Sequence, residues 1–577
     1  MDRKNGLQMV AAVTPRTLRG GGLIIICSEM CSAASAALLK FSSLTEPPLT
    51  ATPNLMRAVA LSALVLLLPG GAFAQEHGAH PPIEPTKERA APPSSSASTT
   101  EREPADLADK DLLPASVTTQ HRIDIAGKSL DYTAKAGSVP LRDAHGKTAA
   151  AIFYVAYTAD PTDGKRPITF VFNGGPGAAS AYLHLGGIGP KVIDVTATGE
   201  ILGPPPRLKD NGSTWLDTTD LVFVDPVGTG YSQVGEGKDE KDYYGVEQDT
   251  GALADFIRLY LIDAGRMASP VFLMGESYGA FRAASITRKL QTSGGISPNG
   301  LLLISPALDF ALLNLEDYNP LAWALDLPSL AAVNLESKGV TDRDALRTAL
   351  KEVEEYALSD YLTALASGAD EGGKEASEAV SRLTGLPLEL VEKHRARISP
   401  SLFIKQFDRK GGRVLSRYDG SVSGPDPHPT SEWPRGPDPV LDSTVPLWTS
   451  AFVEYAQTDL GFKTDKPYRL LNREVRQKWD FGTTPTRQGY ADVLDDIQEA
   501  RAANPSLEVM IASGYTDLIT PYLVPTFVVN QFAPLEGATP ITIENYAGGH
   551  MLYMRPDSRQ ALKDDAAALY ERALRSS

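Results

Sequence analysis

The chain has 577 residues, 42% of them hydrophobic, and a formal net charge of −16. That length holds one large domain with insertions or a few ordinary ones, and the apolar content suffices for a large buried core. The acidic balance argues against nucleic acid and anionic membrane surfaces as partners.

The first interpretable segment is MRAVALSALVLLLPGGAFAQ, residues 56–75. Arg57 supplies a short positive region, Ala58 to Leu68 an apolar one, and Ala72-Phe73-Ala74 a small-x-small cleavage site. This pattern predicts a secretory signal peptide over 56–74, too short and wrongly flanked for a membrane span. Translation is expected to start at Met56, with residues 1–55 an extra or untranslated extension. The product is then secreted or periplasmic, with no stable membrane association once the signal is removed. Both cysteines, Cys27 and Cys31, precede the cleavage site. The processed chain therefore has no disulfide framework, thiolate nucleophile or cysteine metal site. Residues 75–118, rich in Pro, Ser and charge, are expected to form a disordered linker. His77 and His80 fall in it and are assigned no metal.

From residue 119 the pattern changes. HRIDIAGKSLDYTAKAG and AAAIFYVAYTA predict antiparallel hairpin strands around Gly and Asp turns. Short apolar runs then follow: PITFVFNGG, DLVFVDPVG, SPVFLMGES, GLLLISPAL, SLEVMIASG and PITIENYAGGH. Helical stretches such as ALADFIRLYLIDAG separate several of them. Buried strands alternating with helices predict an α/β fold with a mostly parallel sheet covered on both faces. In such sheets ligands bind beyond the carboxyl ends of the strands. Residues 119–311 form a first part of this core and 446–577 a second. Between them, 312–445 reads as a helical cap insertion. TDRDALRTALKEVEEYALSDYLTAL is an amphipathic helix with Thr341 as its expected N-cap, and PLELVEKHRARIS is expected to form another.

The polar residues of interest sit at strand ends. Gly275-Glu276-Ser277-Tyr278-Gly279 places a serine between glycines where a strand turns into a helix, the G-x-S-x-G nucleophile elbow. A serine is a poor nucleophile unaided and needs a base, which in turn needs an orienting group. Asp517 and His550 follow later strands in the order that this elbow requires. Asp517 also stands where an Asx turn is expected. The NGGPG loop, Asn173 to Gly177, ends an earlier strand. Its Gly175 amide and that of Tyr278 are the candidate oxyanion donors.

These motifs, NGGPG, DPVGTGYS, GESYG, the Asp517 loop and GGHM, occur in the order seen in the serine carboxypeptidases, and the chain resembles that family over about residues 119–575. The resemblance implies an α/β-hydrolase fold with a helical cap. It also implies a serine-type carboxypeptidase acting through Ser277, Asp517 and His550, without cofactor or metal, on peptides with a free C-terminal carboxylate. Asn173, Gly174 and Glu276 would bind that carboxylate, and Met551 would contact substrate. A protonated Glu276 would donate to the substrate carboxylate instead of repelling it, which implies an acidic pH preference. The sequence departs from the family at three places. Ala178-Ala179-Ser180 replace the usual Cys-Ser-Ser, Val171 a common tryptophan, and Gly187 the position of a second glutamate. The last bears on exopeptidase specificity more than on catalysis. An esterase or acyltransferase on the same scaffold is the alternative, since one triad serves any acyl transfer. A non-catalytic binding protein using the cap is a further alternative, one that labelling of an active-site serine would reject.

Overall fold

The strands predicted from the apolar runs form one ten-stranded sheet in the computed structural model of the chain, which describes residues 112–160, 165–482 and 489–575. In chain order they are β1 (Val117–Ile125), β2 (Lys128–Arg142), β3 (Thr148–Ala159), β4 (Ile168–Phe172), β5 (Asp220–Val224), β6 (Gln233–Val234), β7 (Val271–Glu276), β8 (Gly300–Ile304), β9 (Glu508–Gly514) and β10 (Thr542–Tyr546). Their spatial order is β1-β2-β3-β5-β4-β7-β8-β9-β10, with β6 beside β3. The first three strands form an antiparallel meander, and β3 joins β5 antiparallel. From β5 onward every pairing is parallel. The reversal of chain order at β5-β4-β7 puts β4 and β7 side by side at the switch point, where open α/β sheets bind ligands. This is the expected α/β-hydrolase arrangement.

The buried parallel strands are apolar on both faces because both are covered. Along β7, Phe272 and Met274 join one hydrophobic cluster, while Val271 and Leu273 join the other. Helices α1 (Val246–Asp263) and α2 (Tyr278–Lys289) cover the second face. Between β8 and β9 run α3 (Pro320–Ser337), α4 (Arg343–Tyr356) and α5 (Glu371–Thr384). Helix α6 (Leu441–Thr458) packs Trp448 and Phe452 into the first face. Helix α7 (Leu494–Ala503) lies on the second face, and the closing helix α8 (Pro556–Arg575) on the first. The helices of the insertion own a third cluster, with Leu327, Leu330 and Phe403, and Leu518 from the Asp517 loop packs into it.

Three local expectations are corrected. The N-cap of α4 is Asp342, not Thr341: its carboxylate accepts from the Asp344 and Ala345 amides at 3.0 Å each. A carboxylate also suits the positive end of the helix dipole. The linker expected over 75–118 ends earlier, because Leu113 is buried in the core and β1 begins at Val117. The PLELVEKHRARIS helix is short, Leu388–Lys393. The 1–55 extension, the signal peptide over 56–74, His77 and His80 lie outside the described residues.

Candidate active site

Strand β7 runs into Ser277, whose backbone sits at φ 59°, ψ −125°, and α2 starts at the next residue. That conformation is open to glycine and costs a serine about 1–3 kcal/mol. Hydrogen bonds hold it: the Ser277 amide donates to Ile304 O at 2.9 Å, and Ser277 O accepts from Ala280 N at 3.0 Å. The turn is too tight for side chains around it. A Cβ on Gly275 would lie 1.9 Å from Gly279 O. The strained elbow read from GESYG is thus a measurable backbone feature.

The NGGPG loop leaves β4, the neighbour of β7, and abuts the elbow. A Cβ on Gly174 would fall 2.6 Å from the Tyr278 amide nitrogen and 2.9 Å from Ser277 Cβ. Gly175 takes φ +103°, a left-handed backbone that suits glycine. Arg282, one helical turn into α2, pins this loop from below. Its Nη1 donates to Asn173 O at 2.7 Å and to Gly174 O at 3.3 Å, while Nε pairs with Asp249 of α1 at 2.5 Å. Both partners of that pair are buried. Arg282→Met should therefore strand a buried carboxylate and two loop carbonyls. Urea unfolding should show a loss of about 3–5 kcal/mol, and an unchanged midpoint would dismiss this role.

Asp517 and His550 come from the loops after β9 and β10 and meet at the same end of the sheet. His550 Nδ1 lies 2.7 Å from Asp517 Oδ2, and both side chains are buried. Asp517 Oδ1 accepts from the Ile519 and Thr520 amides at 2.7 and 3.0 Å, so it makes an Asx-type turn as well. Thr520 Oγ1 donates to Asp517 Oδ2 at 2.7 Å or to Ser305 O at 3.0 Å. Ser305, just past β8, donates in turn to His550 O at 2.9 Å. The His550 amide donates to Tyr418 O at 2.6 Å, and the Tyr418 ring stands edge-on to the imidazole. Burial alone would lower the His550 pKa. The Asp517 charge, its hydrogen bond and Glu276 outweigh that and hold it above the ordinary value.

Glu276 is buried beside the elbow, and burial pushes its pKa up to about 7. Both of its hydrogen-bond donors fall on Oε2: the Asn173 side-chain amide and the Tyr553 hydroxyl, the latter at 3.0 Å. Asn173 Oδ1 accepts from the Leu183 amide at 3.0 Å, which fixes the amide orientation. Met551 is buried directly after His550. At Gly187 the space for a side chain is taken: a Cβ there would lie 2.9 Å from Tyr553 Cβ.

Asn173, Gly174, Gly175, Glu276, Ser277, Tyr278, Asp517, His550 and Met551 thus lie at or just past the carboxyl ends of β4, β7, β9 and β10. Sequence reasoning missed Arg282, Ser305, Tyr418, Thr520 and Tyr553. Of these only Thr520 carried a local signal, as the polar residue three after Asp517 in a turn. Among the described residues no group of three or more His, Cys, Asp or Glu is placed to hold a metal ion. No described helix is long and apolar enough to cross a membrane.

The family model described as serine carboxypeptidase matches residues 127–299. Serine carboxypeptidase-like 51 of Arabidopsis thaliana is 40% identical over 119 residues, 20% of this chain and 22% of that protein. The retinoid-inducible serine carboxypeptidase of Rattus norvegicus is 31% identical over 149 residues, 25% of this chain and 29% of that protein. The chain therefore aligns with under a third of the length of these two relatives. A solved structure of Kex1Δp, a prohormone-processing carboxypeptidase from Saccharomyces cerevisiae, superposes with a TM-score of 0.47 at 18% identity, covering 76% of this chain and 91% of that one. The matched segment holds NGGPG, DPVGTGYS and GESYG, while Asp517 and His550 lie beyond it. Through that segment the chain is related to the serine carboxypeptidases, the family that its motif order resembles.

Proposed function

We propose that the protein is a serine carboxypeptidase that removes C-terminal residues from peptides after export from the cell. The observation that supports this is the buried Asp517–His550 pair at the same end of the sheet as the strained Ser277 elbow, near enough for Glu276, the residue before that serine, to act on the His550 charge. With Nδ1–H donating to Asp517, the lone pair of His550 is on Nε2. Nε2 takes the Ser277 proton as the hydroxyl oxygen attacks the scissile carbonyl. The amides of Gly175 and Tyr278 stabilise the developing oxyanion. His550 then protonates the leaving amino acid, and water, activated by the same nitrogen, hydrolyses the acyl-enzyme. Asn173, Gly174 and a protonated Glu276 receive the substrate's C-terminal carboxylate, with Met551 beside it. None of these steps calls on a metal or cofactor.

The test is a substrate panel: a blocked dipeptide, its C-terminal amide and a simple ester. Clear preference for the free acid supports the carboxypeptidase reading; preference for the ester moves the protein to the esterases. The pH dependence separates the groups further. Glu276 must keep its proton to donate, and a bound carboxylate raises its pKa further. The kcat/KM for the dipeptide follows the free enzyme and should fall about tenfold per pH unit above the Glu276 value of about 7, the slope for loss of one proton. The amide should lack this alkaline loss, and both rates should fall at low pH as His550 protonates. Parallel profiles for the two substrates would remove Glu276 from carboxylate recognition.

A further inference from the structure

The Gly186–Gly187 pair is the imprint of one aromatic ring. A Cβ on Gly186 would come 2.6 Å from Tyr553 Cε2, and one on Gly187 would come 2.9 Å from Tyr553 Cβ and 3.1 Å from its Cγ. The ring is fully buried, and its hydroxyl ends on Glu276 Oε2 at 3.0 Å. A phenylalanine would fill the same space. The hydroxyl is the part that calls for another explanation, since a buried phenol demands a partner. Its partner is the one acid beside the serine.

We propose that Tyr553 is a positioning residue for recognition of the substrate's C-terminal carboxylate. This rests on the carboxypeptidase reading above and deepens it. Tyr553 and Asn173 both donate to Oε2, so the proton of the neutral acid belongs on Oε1. The acid is thereby oriented: one oxygen accepts from the protein, and the other carries the hydrogen for the ligand. A second carboxyl in the ring's place would add another proton to be held before a carboxylate could enter. A phenol adds none, because burial, then the nearby Glu276, hold its pKa well above the ordinary value. The other groups acting on Glu276 are His550 and Asp517, with the Tyr182 and Tyr418 hydroxyls facing it electrostatically. Recognition is then a one-proton event.

Tyr553→Phe keeps the ring against Gly186 and Gly187 and deletes only the hydroxyl. The expected result is a KM about tenfold higher for the blocked dipeptide, the loss of one hydrogen bond to an acid, with a smaller change in kcat/KM for the C-terminal amide. The alkaline limb of the dipeptide profile should move to higher pH, because the lost bond favoured the carboxylate form of Glu276. A purely structural tyrosine would weaken both substrates alike and leave the limb in place; that outcome overturns the proposal. If Tyr553→Phe fails to fold, 3-fluorotyrosine incorporated at position 553 carries the test: the ring is kept and its hydroxyl becomes a stronger donor to Glu276, so the alkaline limb of the dipeptide profile should move to lower pH. An unmoved limb would equally overturn the proposal. Wild-type enzyme that does not distinguish dipeptide from amide would end the carboxypeptidase reading and this one together, whereas a dipeptide KM unchanged in Tyr553→Phe ends only this one.

Discussion

Ser277→Ala is expected to lower kcat by about 10⁵- to 10⁶-fold, the scale seen when a triad nucleophile is removed. The covalent route disappears with the hydroxyl, and only binding and oxyanion stabilisation remain. The fold should not register the change. The elbow is held by backbone hydrogen bonds to Ile304 and Ala280 that alanine keeps. A companion variant sharpens the reading. Ser277→Gly should be equally inactive yet more stable by about 1 kcal/mol, because glycine adopts φ 59° without strain. Activity traces from purified Ser277→Ala within tenfold of wild type would remove Ser277 from the mechanism. A Ser277→Gly protein less stable than wild type would show that the serine side chain supports the turn.

The strand runs were legible because two-sided burial leaves an apolar signature of strand length with turn residues at each end. The candidate site was legible for a related reason. An open parallel sheet delivers its strand ends to one rim, so polar residues just past apolar runs were drawn to the same place. What could not be read depends on contacts between distant segments. Tyr553 meets Glu276 across 277 residues, and Arg282 meets Asn173 across 109. Arg282 sits in an ordinary helical pattern, where an arginine reads as a solvated side chain. Only the packing of α1 against α2, with Asp249 facing inward, makes it a buried support for the NGGPG loop. Gly187 was visible as a departure from the family pattern, but the ring that fills its place was not. Asp517 shows that a turn-forming and a histidine-orienting role can coexist. One carboxylate oxygen serves the Asx turn and the other serves His550.

Asp517→Asn should lower kcat by about 10⁴-fold while leaving the protein folded. The geometry selects the damage. Asp517 accepts from four donors: two backbone amides on Oδ1, and the His550 ring and Thr520 hydroxyl on Oδ2. An asparagine has one accepting oxygen and one donating nitrogen. The backbone amides cannot reverse, so the oxygen must face them, and a nitrogen there would leave buried donors unsatisfied at about 1–3 kcal/mol. The side-chain NH₂ then faces His550 Nδ1. Thr520 adapts by turning its hydroxyl to Ser305 O, already 3.0 Å away. The imidazole adapts only by moving its proton to Nε2, the nitrogen that must serve as base. The acid limb supplies a second readout. The charge of Asp517 and its hydrogen bond outweigh burial in raising the His550 pKa. Their loss should lower that pKa and move the acid limb of the residual activity to lower pH. Near wild-type kcat in Asp517→Asn would assign the orienting role to another carboxylate.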